Sequence, residues 1–148
     1  MYLTVYNIVT RSEENVFLVI ENDKFMKTLK KAMTSEEEIV RGKVCEMIDI
    51  FAAKGNPEQI LKMVTEHNFL GCLITMIEHE NILIQKLGLD ACLKVLNSGN
   101  IISDYNPYLL YFEEAEVFDK IMLLMSYPDL TDTAALILTF LEGDNMGY

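Results

Sequence analysis

Residues 57 to 98 place the tightest constraint on what this chain can become, because their apolar residues recur at helical rather than strand spacing in three runs separated by turn signals. Pro57 stands at a helix start, and Ile60, Leu61, Met63 and Val64 form the apolar series of a short amphipathic helix. Asn68 is placed to cap a second helix through Phe69, Leu70, Cys72, Leu73, Ile74, Met76 and Ile77. A longer run from about Asn81 to Leu96 sets Leu83, Leu87, Ala91 and Val95 on one stripe, with Ile84, Leu89, Cys92 and Leu96 around it. Asn97-Ser98-Gly99-Asn100 reads as its stop. A unit of this kind cannot bury its apolar surface alone and must stack on others like it.

Imperfect copies flank the unit. Residues 2 to 10, with Leu3, Val5 and Ile8 apolar, fit strand and helix equally by themselves, and the repeat context makes them the end of a long helix whose beginning is missing. The uncovered apolar face of such a truncated unit predicts self-association or a distorted start. Ser12 with Asn15 caps a short helix through Val16, Phe17, Val19 and Ile20. Asp23 to Met33 follows, with Phe25, Met26, Leu29 and Met33 on one side. Lys24, Lys27, Lys30 and Lys31 form the exposed basic face. Ser35 caps the next helix, and Glu38 closes a capping box. Ile39, Val40, Val44, Met47, Ile48 and Phe51 carry that helix to Ala53, and Gly55-Asn56-Pro57 ends it.

Beyond Gly99, a loop leads to Pro107 and an aromatic helix of Tyr108, Leu109, Leu110, Tyr111 and Phe112. Val117, Phe118, Ile121, Met122, Leu124 and Met125 build the next, and Tyr127-Pro128-Asp129 interrupts. A last helix from Thr131 or Asp132 runs through Ala134, Ala135, Ile137, Leu138 and Leu141 until Gly143 stops it. Phe25, Phe69 and Phe118 thus fall early in successive second helices, with Leu29, Leu73 and Met122 four residues later. Third helices begin near Glu36, Asn81 and Thr131.

An apolar fraction of 51% over 148 residues, broken by only three prolines and seven glycines, favours a mostly helical, core-forming chain. The net charge of −11 removes nucleic acid from the expected partners, since no basic surface exists to replace phosphate counterions, whereas a basic peptide is attracted. Cys45, Cys72 and Cys92 are odd in number and lie in apolar helical contexts, which suits buried reduced thiols and a cytoplasmic or nuclear setting. No apolar stretch is long enough for a membrane span, and the first six residues carry no positive leader, so neither an anchor nor a signal peptide is expected.

Catalytic and metal chemistry find no footing. A phosphate-cradling glycine loop, a zinc-spaced cysteine set and a catalytic serine context are all missing. His67 and His79 are too far apart to share a helical ligand face, and Cys72 with His79 lacks third and fourth ligands. Glu78 and Glu80 beside His79 read as solubilising a turn. No enzyme, metal or cofactor is expected.

Three segments resemble parts of importin alpha, the armadillo-repeat adaptor of nuclear protein import. Asn7-Ile8-Val9-Thr10 is similar to the end of one family repeat, and Glu58-Gln59-Ile60 with Met63-Val64 to the first helix of a later one. Glu113-Glu114-Ala115 with Phe118-Asp119-Lys120-Ile121 is similar to the last. The resemblance implies an all-α, right-handed superhelical stack of three-helix armadillo repeats, truncated at its N-terminus. It would form one domain over 1–148, with a partial repeat 1–11 and repeats at about 12–54, 57–98 and 105–143.

In the family, third helices line a groove where a tryptophan, and an asparagine one turn later, hold a basic localisation peptide. The corresponding pairs here are Leu3 with Asn7, Cys45 with Asp49, and Asp90 with Lys94. With no tryptophan in the chain, the indole faces that attract a cation are gone. Glu46 and Asp49 remain as a screened electrostatic substitute. The family's importin-beta-binding segment and early repeats are absent, and its glycines between first and second helices appear as Asp23, His67 and Glu116. By the same resemblance, Tyr111, Glu113, Glu114 and Asp119 are candidates for contact with the recycling exportin or a nuclear-pore protein.

The expected function is therefore a non-catalytic module that binds a protein or basic peptide along an acidic helical groove, in cytoplasm and nucleus. The alternative is a structural or regulatory repeat protein that has lost cargo binding and forms homo-oligomers.

Overall fold

The computed structural model describes residues 13–33 and 37–145, and among them all regular structure is helical. The helices are α1 Glu13–Ile20, α2 Asp23–Ala32, α3 Glu38–Lys54, α4 Pro57–Glu66, α5 Phe69–Ile77, α6 Ile82–Ile102, α7 Tyr108–Glu114, α8 Phe118–Leu124 and α9 Thr131–Asn145. Short, short, long recurs three times: 8, 10 and 17 residues, then 10, 9 and 21, then 7, 7 and 15. The described chain forms two compact units, one reaching Cys72 and the other starting at Leu73, so the boundary lies inside α5. The helix expected over 1–11, with Leu3 and Asn7, and the Ser12 and Ser35 caps lie outside the described residues.

In the first unit α1 packs against α2, α3 and α4, and α2 packs against α3. Val16, Ile20, Met26, Leu29, Val44, Met47, Ile48, Phe51, Ile60 and Met63 close the core between them. Asn22 caps α2 by accepting from the Phe25 amide at 2.9 Å, and the four lysines of α2 stay in solvent as their spacing predicts. The entry to α4 is held more firmly than the sequence reading expected. Asn56 Oδ1 accepts from Gln59 N at 2.8 Å while Gln59 Oε1 accepts from Asn56 N at 3.2 Å, a reciprocal capping box ahead of Pro57 at the first turn. Glu38 is the first residue of α3 rather than the third, and Ile39 is 80% exposed because the packed face of that helix begins only at Val44.

In the second unit α9 packs against α6, α7 and α8, and α7 packs against α6. Leu89, Cys92, Val95, Leu96, Tyr108, Phe112, Val117, Ile121, Leu130, Ala134 and Ile137 are sealed inside. Gly88 permits the close approach of α5 to α6, since a Cβ there would stand 2.8 Å from Met76 Cβ and 3.2 Å from the Ile77 amide nitrogen. The expected stop at Asn97 to Asn100 is corrected: α6 runs through it to Ile102. Gly99 is buried inside the helix, pressed against the side chain of Asn106, instead of terminating it. Asn106 is buried and fully used. Its Nδ2 donates to the Leu96 carbonyl at 2.6 Å and to Asn100 Oδ1 at 3.1 Å, and its Oδ1 accepts from the Tyr108 amide at 3.0 Å.

Three further expectations change. Leu83 is 69% exposed, because the buried set of α6 starts at Gly88. Helix α9 continues through Gly143 to Asn145. Met122 is 49% exposed, so it does not match the buried Leu29 and Leu73. On α8 the buried positions are Ile121 and Leu124, in phase with Val117 just before the helix, all three within the expected apolar set, whereas Met122 of that set is not buried. Two turns between first and second helices keep a left-handed residue, at Asn68 (φ 49°), one residue beyond His67, and at Glu116 (φ 56°), directly at the third expected glycine position. Asp23 is instead helical, as the first residue of α2.

Two substitutions test this account by urea denaturation. Gly99→Ala gains about 1 kcal/mol of helix propensity, but its methyl lands on the Asn106 amide, 2.8 Å from Nδ2. Overpacking of this kind, with Asn106 pushed off its partners, outweighs that gain, so a net loss of about 2 kcal/mol is expected. Glu116→Gly relieves a left-handed backbone worth about 1–2 kcal/mol against a smaller rise in unfolded-chain entropy, so it stabilises by about 0.5–1 kcal/mol.

Candidate functional site

Leu3 and Asn7 apart, which lie outside the described residues, the sequence-derived groove candidates sit on the long helix of each of the first two triplets. On α3, Cys45 is buried, and burial pushes its thiol up to about 11, so it presents no reactive or cation-binding group. Glu46 and Asp49, one turn apart on the same helix, are half-buried, and Glu46 Oε2 lies 3.5 Å from Lys43 Nζ. On α6, Asp90 and Lys94 are half-buried one turn apart, and Asp90 Oδ1 accepts from Thr133 Oγ1 of α9 at 3.3 Å. Asp90 is thus partly committed to holding α9. Cys72 and Cys92 are buried too, with thiols pushed upward by desolvation.

The pattern of the sequence did not reveal a polar cluster in the first unit. Lys62 Nζ lies 3.1 Å from Asp23 Oδ1 and 3.4 Å from Glu21 Oε2, and Gln59 Nε2 donates to Glu21 Oε1 at 3.2 Å. His67 Nε2 lies 3.3 Å from Asp23 Oδ1, within ion-pair range but off the line of a hydrogen bond. The hydrogen bond from Lys62, then its charge, lowers the Asp23 pKa, and the same bond raises that of Lys62. Glu21 and Asp23 at the α1–α2 turn meet Gln59, Lys62 and His67 some forty residues later, a pairing that no local spacing encodes.

In the second unit, the candidates Glu113, Glu114 and Asp119 are exposed and Tyr111 is 38% exposed. Only Glu113 among them lines a small cleft of about 80 Å³, with Leu109, Phe112, Glu116, Val117, Phe118 and Leu141. Neighbouring Tyr108 is buried, its hydroxyl finds no hydrogen-bond partner among the described residues, and burial pushes its pKa up to about 12.

A larger open groove of about 460 Å³ lies between the end of α5, the start of α6 and the far end of α8. It is lined by Ile77, Glu78, Gln85, Lys120, Leu123, Leu124, Ser126 and Tyr127. On its wall Lys120 Nζ donates to Glu78 Oε1. Sequence reasoning missed this groove because it took Glu78 for a solubilising turn residue and passed over Leu123. With Ile121 and Leu124 turned into the core, Met122 and Leu123 face outward.

Among the described residues no group of three or more His, Cys, Asp or Glu side chains is arranged to hold a metal ion. His79 Nδ1 accepts from the Asn81 amide at 2.9 Å and serves the turn. Among the same residues no single helix is long and apolar enough to cross a membrane.

The Asp23–Lys62 pair sets a pH expectation. A lowered Asp23 pKa adds stability that is complete above its ordinary value of 3.8 and is lost as pH falls through the lowered value. A raised Lys62 pKa adds stability that is complete below 10.5 and is lost as pH rises through the raised value. Urea unfolding of wild type and Asp23→Asn should therefore show a small, constant difference through neutral pH that closes on the acid side, below 3.8, and again on the strongly alkaline side, above 10.5. A gap that widened on acidification would contradict the pairing. A scan of the sequence against protein-family models matches none, and a search of curated proteins finds no significant match.

Proposed function

We propose that this chain is a non-catalytic protein-interaction module built as an armadillo-type helical repeat, related in role to the C-terminal repeats of importin alpha. The observation that carries the reading is the threefold succession of two short helices and one long helix. Left-handed residues at Asn68 and Glu116, at or next to the positions where the family places glycine, support it further. In this reading the long helix of each unit presents carboxylates to a basic peptide: Glu46 and Asp49 on α3 and, separately, Asp90 on α6 hold lysine ammonium groups by charge, while Tyr111, Glu113, Glu114 and Asp119 contact a transport receptor. Without tryptophan faces the peptide is held weakly and with strong salt dependence. The chain would act in cytoplasm and nucleus, by reversible binding alone.

The test is binding of a basic localisation peptide, and separately of the recycling exportin, at about 0.15 M salt. The expected result is weak peptide binding that the double substitution Glu46→Lys, Asp49→Lys reduces about tenfold, a change of about 1.4 kcal/mol. If neither the peptide nor the exportin binds, the transport role is lost.

A further inference from the structure

The charge of this chain is unevenly divided. From Leu73 onward it carries twelve acidic residues against three lysines, so −9 of the net −11 belongs to the second unit. One of those lysines, Lys120, lines the open groove of the second unit and is already engaged by Glu78. The apolar lining is the opposite of what a solvated edge should show. Leu123 is 72% exposed and Tyr127 49% exposed, and Met122, also 49% exposed, precedes Leu123 on α8. Single exposed leucines are ordinary, but an exposed leucine and an exposed tyrosine lining one groove with Ile77 and Leu124 give it the apolar character of a docking site. At about 460 Å³ the groove has the size of sites that receive one or two large side chains.

We infer that this groove binds an amphipathic segment of a partner protein that presents large apolar side chains flanked by lysine or arginine. The inference rests on the reading of the chain as an interaction module and names a partner chemistry and a site for it. Apolar side chains of the segment would pack on Leu123, Leu124, Ile77 and Tyr127, and Ser126 and Gln85 would supply polar contacts at the rim. The acidic field of the second unit selects the flanking charge: it draws a basic segment and repels an acidic one of equal apolarity. With Lys120 neutralised by Glu78, no cation in the lining opposes it. Recognition of this type lays the apolar face of a helix into a groove, with charge setting orientation.

The probe is a labelled lysine–leucine peptide that forms an amphipathic helix, titrated against the full chain at about 0.15 M salt. Two comparison peptides accompany it: one of the same composition scrambled so that the leucines share no face, and a glutamate–leucine counterpart. The amphipathic basic peptide should bind at least about tenfold more tightly than either. Leu123→Asn, which leaves the charge unchanged at a solvent-facing position, should weaken it about tenfold. Leu136→Asn, at an exposed leucine of α9 outside the groove lining, should leave it unchanged. Equal binding of the ordered and scrambled peptides, or indifference to Leu123→Asn, overturns the inference. So does a concentration-dependent dimer in light scattering that Leu123→Asn abolishes, since the occupant is then a second copy. If localisation-peptide or exportin binding persists while the groove peptide fails, only this inference falls, and loss of all three removes the module reading with it.

Discussion

Six of the nine helices described contain ten residues or fewer, and a helix of that length does not persist alone in water. Four of the six are backed by a longer helix, α1 and α2 by α3, and α7 and α8 by α9, while α4 packs on α1. The structure depends on this mutual support more than on any propensity. The apolar stripe of a seven-residue helix is two turns long and becomes stable only when a fifteen-residue neighbour completes its burial. Stability is consequently collective within each unit.

Packing this tight requires places where side chains give way, and glycine supplies them. Gly88 lets the end of α5 sit against α6, and Gly99 lets the Asn106 amide lie on the α6 backbone. Asn106 then does what a cap residue and a bridging water would otherwise share, satisfying a helix carbonyl, a neighbouring amide side chain and the start of α7 at once. A buried amide with all these bonds made specifies one geometry for the α6–α7 connection, because any displacement leaves polar atoms unpaired inside the unit.

Much of this was legible in the residues, and the errors have a common cause. The helical class, the break at Tyr127-Pro128-Asp129, the start at Pro57 and the solvent-facing lysines of α2 all follow from local period and turn chemistry. Gly99 and Gly143 read as stops because glycine ends helices by local rule, while their roles depend on what packs against Gly99 and on α9 continuing past Gly143. The exposure of Leu83, Ile39 and Met122 is likewise decided by where the neighbouring helices begin and end. The groove at α8 and the Glu21–Asp23–Lys62–His67 cluster escaped for the same reason, being assembled from residues about forty positions apart. Of the peptide-facing candidates, Cys45 became core, whereas Glu46 and Asp49 kept partial access to solvent.

All three cysteines are reduced and buried, and desolvation holds each thiol protonated across the physiological range. Peroxide and disulfide reagents need an accessible thiolate, so the native chain is a poor target for them. Unfolding removes that protection from three sulfurs at once. In air each opening exposes thiols to oxidation, so the chain's lifetime outside a reducing medium depends on how often it opens rather than on its folded chemistry.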